Sequence, residues 1–435
     1  MRIACALMVL AVGGIGAGAF GAVPTEVEKP AISGKTFLLT DFGAVGDGKT
    51  ECTGAFEKAA EAIKAAKGGV LEVPRGTFLS GPITLEGNMA LQVDEGAVIK
   101  ATEDFSAFGL PNPLPATQAE ASKLKLKAGA FITVEHADNF EIRGAGTIDG
   151  SGEAWWHHVN KPSYYTAGAV LIPRPRLVAI EDGKDVWVHD VKLTNSPTFH
   201  LVPRRCTNVL IEHVTIEAPE KAPNTDAIDP SNCKGVIIRN CTLDVGDDDV
   251  AIKSGGKGPA CDDILVTDCT IKHGHGISIG SETAAGVHHM LVRNLTMDGT
   301  NPALRIKSAR DRGGEVQDIT YQHITMKNIQ GNAIEINTYY EDKNAQRETR
   351  PVTATTPHID GVVFKDITVE SAKSAGMIVG LPEAPIKNVR LEDVTIHADT
   401  GMTVRDAEGI VMKNTKIVPK KGEAVMASFA QVEQR

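Results

Sequence analysis

Nine short segments of this chain follow one template, and that repeat restricts the fold more than any other feature of the sequence. They are DVWVHDVKL (185–193), NVLIEHVTI (208–216), GVIIRNCTL (235–243), DILVTDCTI (263–271), HMLVRNLTM (289–297), DITYQHITM (318–326), GVVFKDITV (361–369), NVRLEDVTI (388–396) and GIVMKNTKI (409–417). Successive copies start 21 to 29 residues apart, with one interval of 43. A unit this short cannot bury its own apolar face, so the copies must stack on one another. Val, Ile and Thr alternating with period two mark the units as strands rather than helices. Two to three short strands per coil, repeated in parallel register, make an all-β parallel β-helix. The long interval contains YYEDKNAQRETRPVTATTP (339–357), which reads as an inserted loop. A second insertion, rich in Pro, Ala and Lys, lies at 103–128. Long loops on a solenoid usually line its binding face.

The chain opens MRIACALMVLAVGGIGAGAFGA, with Arg2 ahead of an uncharged apolar run and small residues at Ala17 to Ala22. Residues 1–22 read as a secretory signal peptide; the run is short and glycine-rich for a membrane anchor. The mature protein is then secreted or periplasmic and free of the membrane. Residues 23–35 read as a flexible lead-in, and 36–435 as one β-helix catalytic domain. Within it, Thr50 to Ala66 has the pattern of an amphipathic helix with Phe56, Ala59, Ala60 and Ile63 on its apolar face. Thr50 or Thr53 would cap it, and Gly68-Gly69 would end it. A lone helix before a run of strands suits a cap over the open end of a solenoid.

A net charge of −10 argues against nucleic-acid binding. For an anionic substrate, cations must be gathered locally. Six cysteines follow the signal: Cys52, Cys206, Cys233, Cys241, Cys261 and Cys269. Cys206, Cys233 and Cys261 share one repeat position, and Cys241 and Cys269 share another where Val214 and Leu295 also sit. This favours an inward ladder of small apolar side chains, although adjacent coils are close enough to bridge by a disulfide.

Four polar runs interrupt the repeat between Asn224 and Lys307: NTD (Asn224 to Asp226), GDDD (Gly246 to Asp249), GHG (Gly274 to Gly276) and RIK (Arg305 to Lys307). Each begins within about ten residues of the end of a T-I strand, so repeat register places them on one sheet in successive coils, ~4.8 Å apart. In ALRIKS, Leu304 and Ile306 face inward, which turns Arg305 and Lys307 outward. Glu335 and Asn337 of the next coil should stack beside them, and an Arg305–Glu335 pair is the bland alternative. Asp247, Asp248 and His275 precede the alternating positions and belong to turns. Consecutive aspartates could also cap a turn or hold calcium. Packed carboxylates cannot all ionise freely, so at least one should hold its proton tightly. A proton donor beside an ionised base suits glycosidic hydrolysis, and an Arg–x–Lys pair suits a substrate carboxylate.

The four runs, in this order and spacing, resemble the signature of family 28 glycoside hydrolases, the polygalacturonase family. DFGAVGDGKT (41–50), GTIDGSGEAWW (146–156) and NSPTFHLVP (195–203) are similar to family segments as well. The resemblance implies a right-handed β-helix and an inverting, pectin-degrading hydrolase acting on galacturonan; no cofactor or metal is expected, and a monomer is expected. It implies Asp247 as general acid, Asp226 and Asp248 as the groups that activate water, and His275 as the residue that tunes the acid. Arg305 and Lys307 would bind a uronate carboxylate, with Asn224 and Tyr340 also on the substrate; Tyr339 is the alternative tyrosine. Two positions depart from the family pattern. Ala227 stands where glycine is usual, and Asp249 where an uncharged residue is usual; Asp249 would raise the acid's pKa or join the base pair. Both departures leave room for rhamnogalacturonan or a substituted galacturonan as substrate. A calcium-dependent lyase using Asp226, Asp247 and Asp248 as ligands, or a non-catalytic glycan-binding β-helix, are the rival readings.

Overall fold

The computed structural model describes residues 23–435 except 33, 162, 165 and 343–345. The signal peptide expected at 1–22 lies outside the described residues. Every pairing between the named strands is parallel, and the result is a parallel β-helix. The first four repeats supply two strands each, and in the next four the two run together, as in Val287–Asp298 and Glu315–Lys327. In the third copy the two strands are Lys234–Arg239 and Thr242–Asp244, stacked on Thr207–Glu212 and Thr215–Glu217 below and on Cys261–Thr267 and Thr270–Ile271 above.

Backbone conformation explains the polar letters of the template. The first residue of each copy and the sixth adopt positive φ in all nine repeats: Asp185 and Asp190, Asn208 and His213, Gly235 and Asn240, and so on to Gly409 and Asn414. These are corners where the coil turns, and Asn, Asp, His and Gly tolerate that left-handed region best. Asn240 and Asn294, each the start of an N-x-T sequence, are two such corner residues. Side-chain amides also link some corners across coils, as from Asn208 to Asp185 (2.9 Å) and from Asn294 to Asp268 (3.1 Å). Between the corners, inward residues form continuous ladders such as Val209–Val236–Ile264–Met290, all buried. Truncating one of these large aliphatics to alanine should cost about 2–5 kcal/mol.

All six described cysteines are buried free thiols. Cys206, Cys233 and Cys261 stack as expected, with the amide of Cys206 donating to Cys233 Sγ and that of Cys233 to Cys261 Sγ, both at 3.4 Å.

The cap is the helix Thr53–Ala65, which buries Ala55, Phe56, Ala59 and Ile63 against the first coils; Ala60 is only half-buried. Its N-cap is Cys52, and neither Thr50 nor Thr53 caps it through its side chain. Those hydroxyls are engaged elsewhere: Thr50 donates to Asp47 (2.9 Å), and Thr53 bonds to Glu51 and Gly81. The lead-in expected to be flexible is instead tied to the solenoid wall. Val23 and Val27 pack on Leu210, Ile237 and Leu265, and Lys29 reaches Glu212 at 3.0 Å while lying over the Trp187 ring. These partners are outward-facing apolar residues of the repeats, which a sequence-local reading of 23–35 does not include. Among the described residues no helix is long and apolar enough to cross a membrane.

A third column of strands carries the polar runs. It includes Ile83–Glu86, Ala130–Glu135, Arg176–Glu181 and Leu201–Arg204. Bridges at Ile228 and Ser231 then lead to Val250–Ile252, Ile277–Ile279, Leu304–Lys307 and Ile329–Asn337.

Candidate active site

The runs meet where that column crosses the preceding turns. Arg305 lies beside Ser278 and Glu335, and Lys307 beside Asn337, as the repeat register predicts. Both cations leave the core side of their strand, but neither is free. Asp248 lies over them, with Arg305 Nη2 and Lys307 Nζ (2.7 Å) donating to its two oxygens. Ser278 Oγ donates to Asp248 (2.9 Å) and accepts from Arg305 Nε (3.1 Å). No Arg305–Glu335 pair forms; Glu335 accepts from Asn332 instead. Burial alone would push the Asp248 carboxyl up, yet Arg305 and Lys307 hold it well below the usual carboxylate range.

Asp247 is the most open of the motif carboxylates, its side chain 15% exposed against 4% for Asp226 and 2% for Asp248. His275 Nδ1 lies 2.9 Å from Asp247 Oδ1, and Asn224 Nδ2 donates to Oδ2 at 3.3 Å. Burial raises Asp247, and the His275 hydrogen bond with the nearby cations brings it below its ordinary value in the unliganded protein. The raised carboxyl expected in this cluster is therefore not Asp247. Asp226 is pushed well up, by burial first and by the neighbouring Asp229 second.

The two glycines of GHG have steric reasons. Gly274 (φ +111°) faces Asp249 Oδ2 and the Asp247 carbonyl, so a Cβ would come within 2.7 Å of both. Gly276 (φ +58°) abuts the Ala303 carbonyl, and a Cβ there would collide with it. His275 is thus held on a tight loop whose amide donates to Asp247 O (2.8 Å).

The two departures are both fully buried. Ala227 is fully buried in the core and faces away from the acids. Asp249 is also fully buried, but accepts from the Gly276 amide at 2.9 Å and leaves Oδ1 without a partner. It supports the GHG loop rather than joining the Asp226–Asp248 pair, and burial pushes its carboxyl well up.

Tyr340 places its ring 5.0 Å from Lys307 Nζ and 5.9 Å from Arg305. Tyr339 is buried with Val379, Leu381 and Ala384, so Tyr340 is the tyrosine at the site. Asn224, expected on the substrate, has both polar ends occupied: Arg174 Nη2 donates to its Oδ1 at 2.7 Å while its amide serves Asp247.

Arg174, Ser278, Asp229 and Lys253 were not among the residues read from the motifs. Arg174 comes from an irregular stretch with no repeat signal. Lys253 did have one: VAIK (250–253), ISIG (277–280) and LRIK (304–307) share a register. Lys253 thus sits in the column of Lys307, two coils away. The cluster of Asp247, Asp248 and His275 has donor atoms close enough together to hold a cation, but two protein cations already engage both oxygens of Asp248.

Comparison with known proteins fits this geometry. Residues 64–416 match the model of glycosyl hydrolases family 28. The chain belongs to that family. This family 28 hydrolase is 30% identical over 414 residues to an endo-polygalacturonase of Pectobacterium carotovorum subsp. carotovorum, covering 91% of this chain and 95% of the relative. Its fold is similar to the crystal structure of a hyperthermoactive exopolygalacturonase from Thermotoga maritima, with TM-score 0.73, 27% identity and 94% of each chain covered. It is also similar to polygalacturonase from Erwinia carotovora ssp. carotovora, with TM-score 0.71, 26% identity, 94% of this chain and 100% of that one. The enzyme is a glycoside hydrolase whose relatives include both exo- and endo-acting polygalacturonases.

Proposed function

We propose that this family 28 hydrolase is an exported enzyme that cleaves α-1,4-linked galacturonate in pectin with inversion of configuration. The observation that carries this reading is the placement of Arg305, Lys307 and Tyr340 directly beside the Asp247–Asp248–His275 cluster. Two buried cations at the reacting centre suit a sugar that brings its own carboxylate. In the reaction, the water oxygen bonds to the anomeric carbon while Asp226, with Asp248 orienting the water, takes its proton. The bond from that carbon to the leaving oxygen breaks, its electron pair stays on the leaving oxygen, and Asp247 supplies the proton there. A bound uronate places negative charge next to Lys307 and Arg305, which weakens their hold on Asp247 and raises its carboxyl toward the range a proton donor needs. His275, bonded to the same carboxyl, adjusts that rise. This reading requires no cofactor or metal, and the enzyme acts as a monomer.

The test uses mature protein on polygalacturonate with a chelator, following reducing ends and the ultraviolet absorbance of unsaturated products together. New reducing ends without absorbance are expected, and Asp247→Asn should abolish turnover while retaining binding. Absorbance that chelation removes would replace hydrolysis by calcium-dependent elimination. Product lengths divide exo from endo action; loops 103–128 and 339–357 closing one end of the cleft would favour exo. Activity on rhamnogalacturonan alone would move the assignment to that substrate.

A further inference from the structure

Asp226 is held by a group outside the four motifs. Lys253 Nζ donates to Asp226 Oδ2 at 3.0 Å and to Asp229 Oδ2 at 2.6 Å, and it lies 3.9 Å from the centre of the Phe199 ring. Asp226 and Asp229 each leave Oδ1 without a protein partner. We propose that Lys253 is a positioning residue for the hydrolysis: by bridging Asp226 and Asp229 it fixes the Asp226 carboxylate and supplies the cation against which that carboxylate accepts the proton of water. The inference rests on the reading of Asp226 as a base.

One lysine shared by two buried carboxylates gives a base of intermediate strength. With no cation, two buried aspartates this close would hold a proton between them and the base would be blocked. With a cation of its own, Asp226 would move toward the ionised state of Asp248 and bind a proton more weakly. The sharing places it between these limits. The other groups facing Asp226 leave Lys253 in control. Asp247 and Asp248 add negative charge, Asp249 faces Asp226 with a carboxyl that burial pushes up, and Arg174 acts on Asp226 from the side of Asn224. His200 donates from Nδ1 to the Asp226 carbonyl (3.0 Å), and burial lowers its pKa to about 4, so it carries no charge there. Asp229 itself is raised to about 6, burial outweighing Lys253.

The experiment measures kcat and KM against pH on polygalacturonate for wild type, Asp226→Asn, Lys253→Met, Lys253→Arg, Asp229→Asn and the double variant Lys253→Met/Asp229→Asn. Lys253→Met should lower kcat on the order of 100-fold with KM nearly unchanged, and move the acid limb of kcat upward by about one pH unit. Asp229→Asn should move that limb downward, because the lysine then serves Asp226 alone. Lys253→Arg, which keeps the charge, should lie near wild type in limb position. The double variant removes one charge of each sign, so its limb should return toward wild type and remain readable if Lys253→Met does not fold. Limbs that stay in place across the set would overturn the proposal, as would a Lys253→Met defect confined to KM, which would mean substrate contact. An active Asp226→Asn would defeat the base assignment and this inference together. An inactive Asp226→Asn with unmoved limbs would defeat the inference alone. Carboxyl NMR titration of Asp226 in the same variants gives the same shifts without turnover, and their absence would overturn the proposal even if polygalacturonate proved to be the wrong substrate.

Discussion

Two carboxylate–cation clusters lie side by side in the cleft, with opposite stoichiometry. Around Asp248, two cations serve one carboxylate, and the acid is held ionised. Around Lys253, one cation serves two carboxylates, and both acids are pushed up. Burial is nearly the same in both, with Asp226, Asp229 and Asp248 each under 5% exposed. The charge count, not the depth, therefore separates an aspartate held toward its ionised form from ones pushed up. The lesson is that desolvation raises every buried carboxyl, and the local ratio of cations to carboxylates decides which ones return to the charged form.

The sharpest way to break the contrast is Asp248→Asn. It leaves Arg305 and Lys307 buried with their anionic partner gone, so stability should fall by about 3–5 kcal/mol. Activity should drop about 10²–10⁴-fold, as for loss of an acid–base group. Denaturant unfolding and initial rates check both. On the other cluster, Asp229 binds a proton more tightly folded than unfolded. Wild-type stability should therefore fall as pH rises from the unfolded carboxylate value toward about 6. Asp229→Asn removes that slope, and over this window it should gain about 3 kcal/mol on wild type, read from unfolding midpoints at each pH. Asp248 has the opposite sign: its contribution is present above the unfolded value and is lost as pH falls through its depressed folded value. Lys307→Met should bring the two clusters closer by leaving Asp248 with Arg305 alone. Its KM on polygalacturonate should rise about 10-fold, the cost of one charged hydrogen bond, and the same variant should show little change on a neutral oligosaccharide. Asp249→Asn tests burial without a cation partner. Replacing a buried carboxyl that burial pushes up should stabilise the protein more at pH 7 than at pH 4, read from unfolding midpoints at the two pH values.

Much of the site was legible because the repeat acts as a ruler. Equivalent positions in successive coils stack, so placing Arg305 beside Glu335 and Lys307 beside Asn337 needed only the register and alternation of the strands. The contacts across the turns were not legible in this way. GDDD precedes the strand, where alternation does not apply, and nothing in four consecutive residues says that Asp248 covers the cations, Asp247 meets His275 and Asp249 turns to Gly276. Lys253 was within reach, because AIK and RIK fall in the same column, but the lysine lies outside the four polar runs. Arg174 carries no periodic signal at all. Its guanidinium reaches Asn224 and the carbonyls of Pro197 and Pro223 only after the chain has folded over the cleft.

By itself the sequence determined the solenoid. Nine copies with corner residues able to adopt positive φ, and apolar residues between them, leave one economical way to bury the repeats, and it is local enough to read from letters. Only the tertiary structure decided the protonation pattern of the acids. Five aspartates within four residues of one another or one coil apart have the same intrinsic chemistry. Their differences arise from charges brought in by neighbouring strands, and electrostatic energy in a desolvated site depends on distances that span coils, not on spacing along the chain.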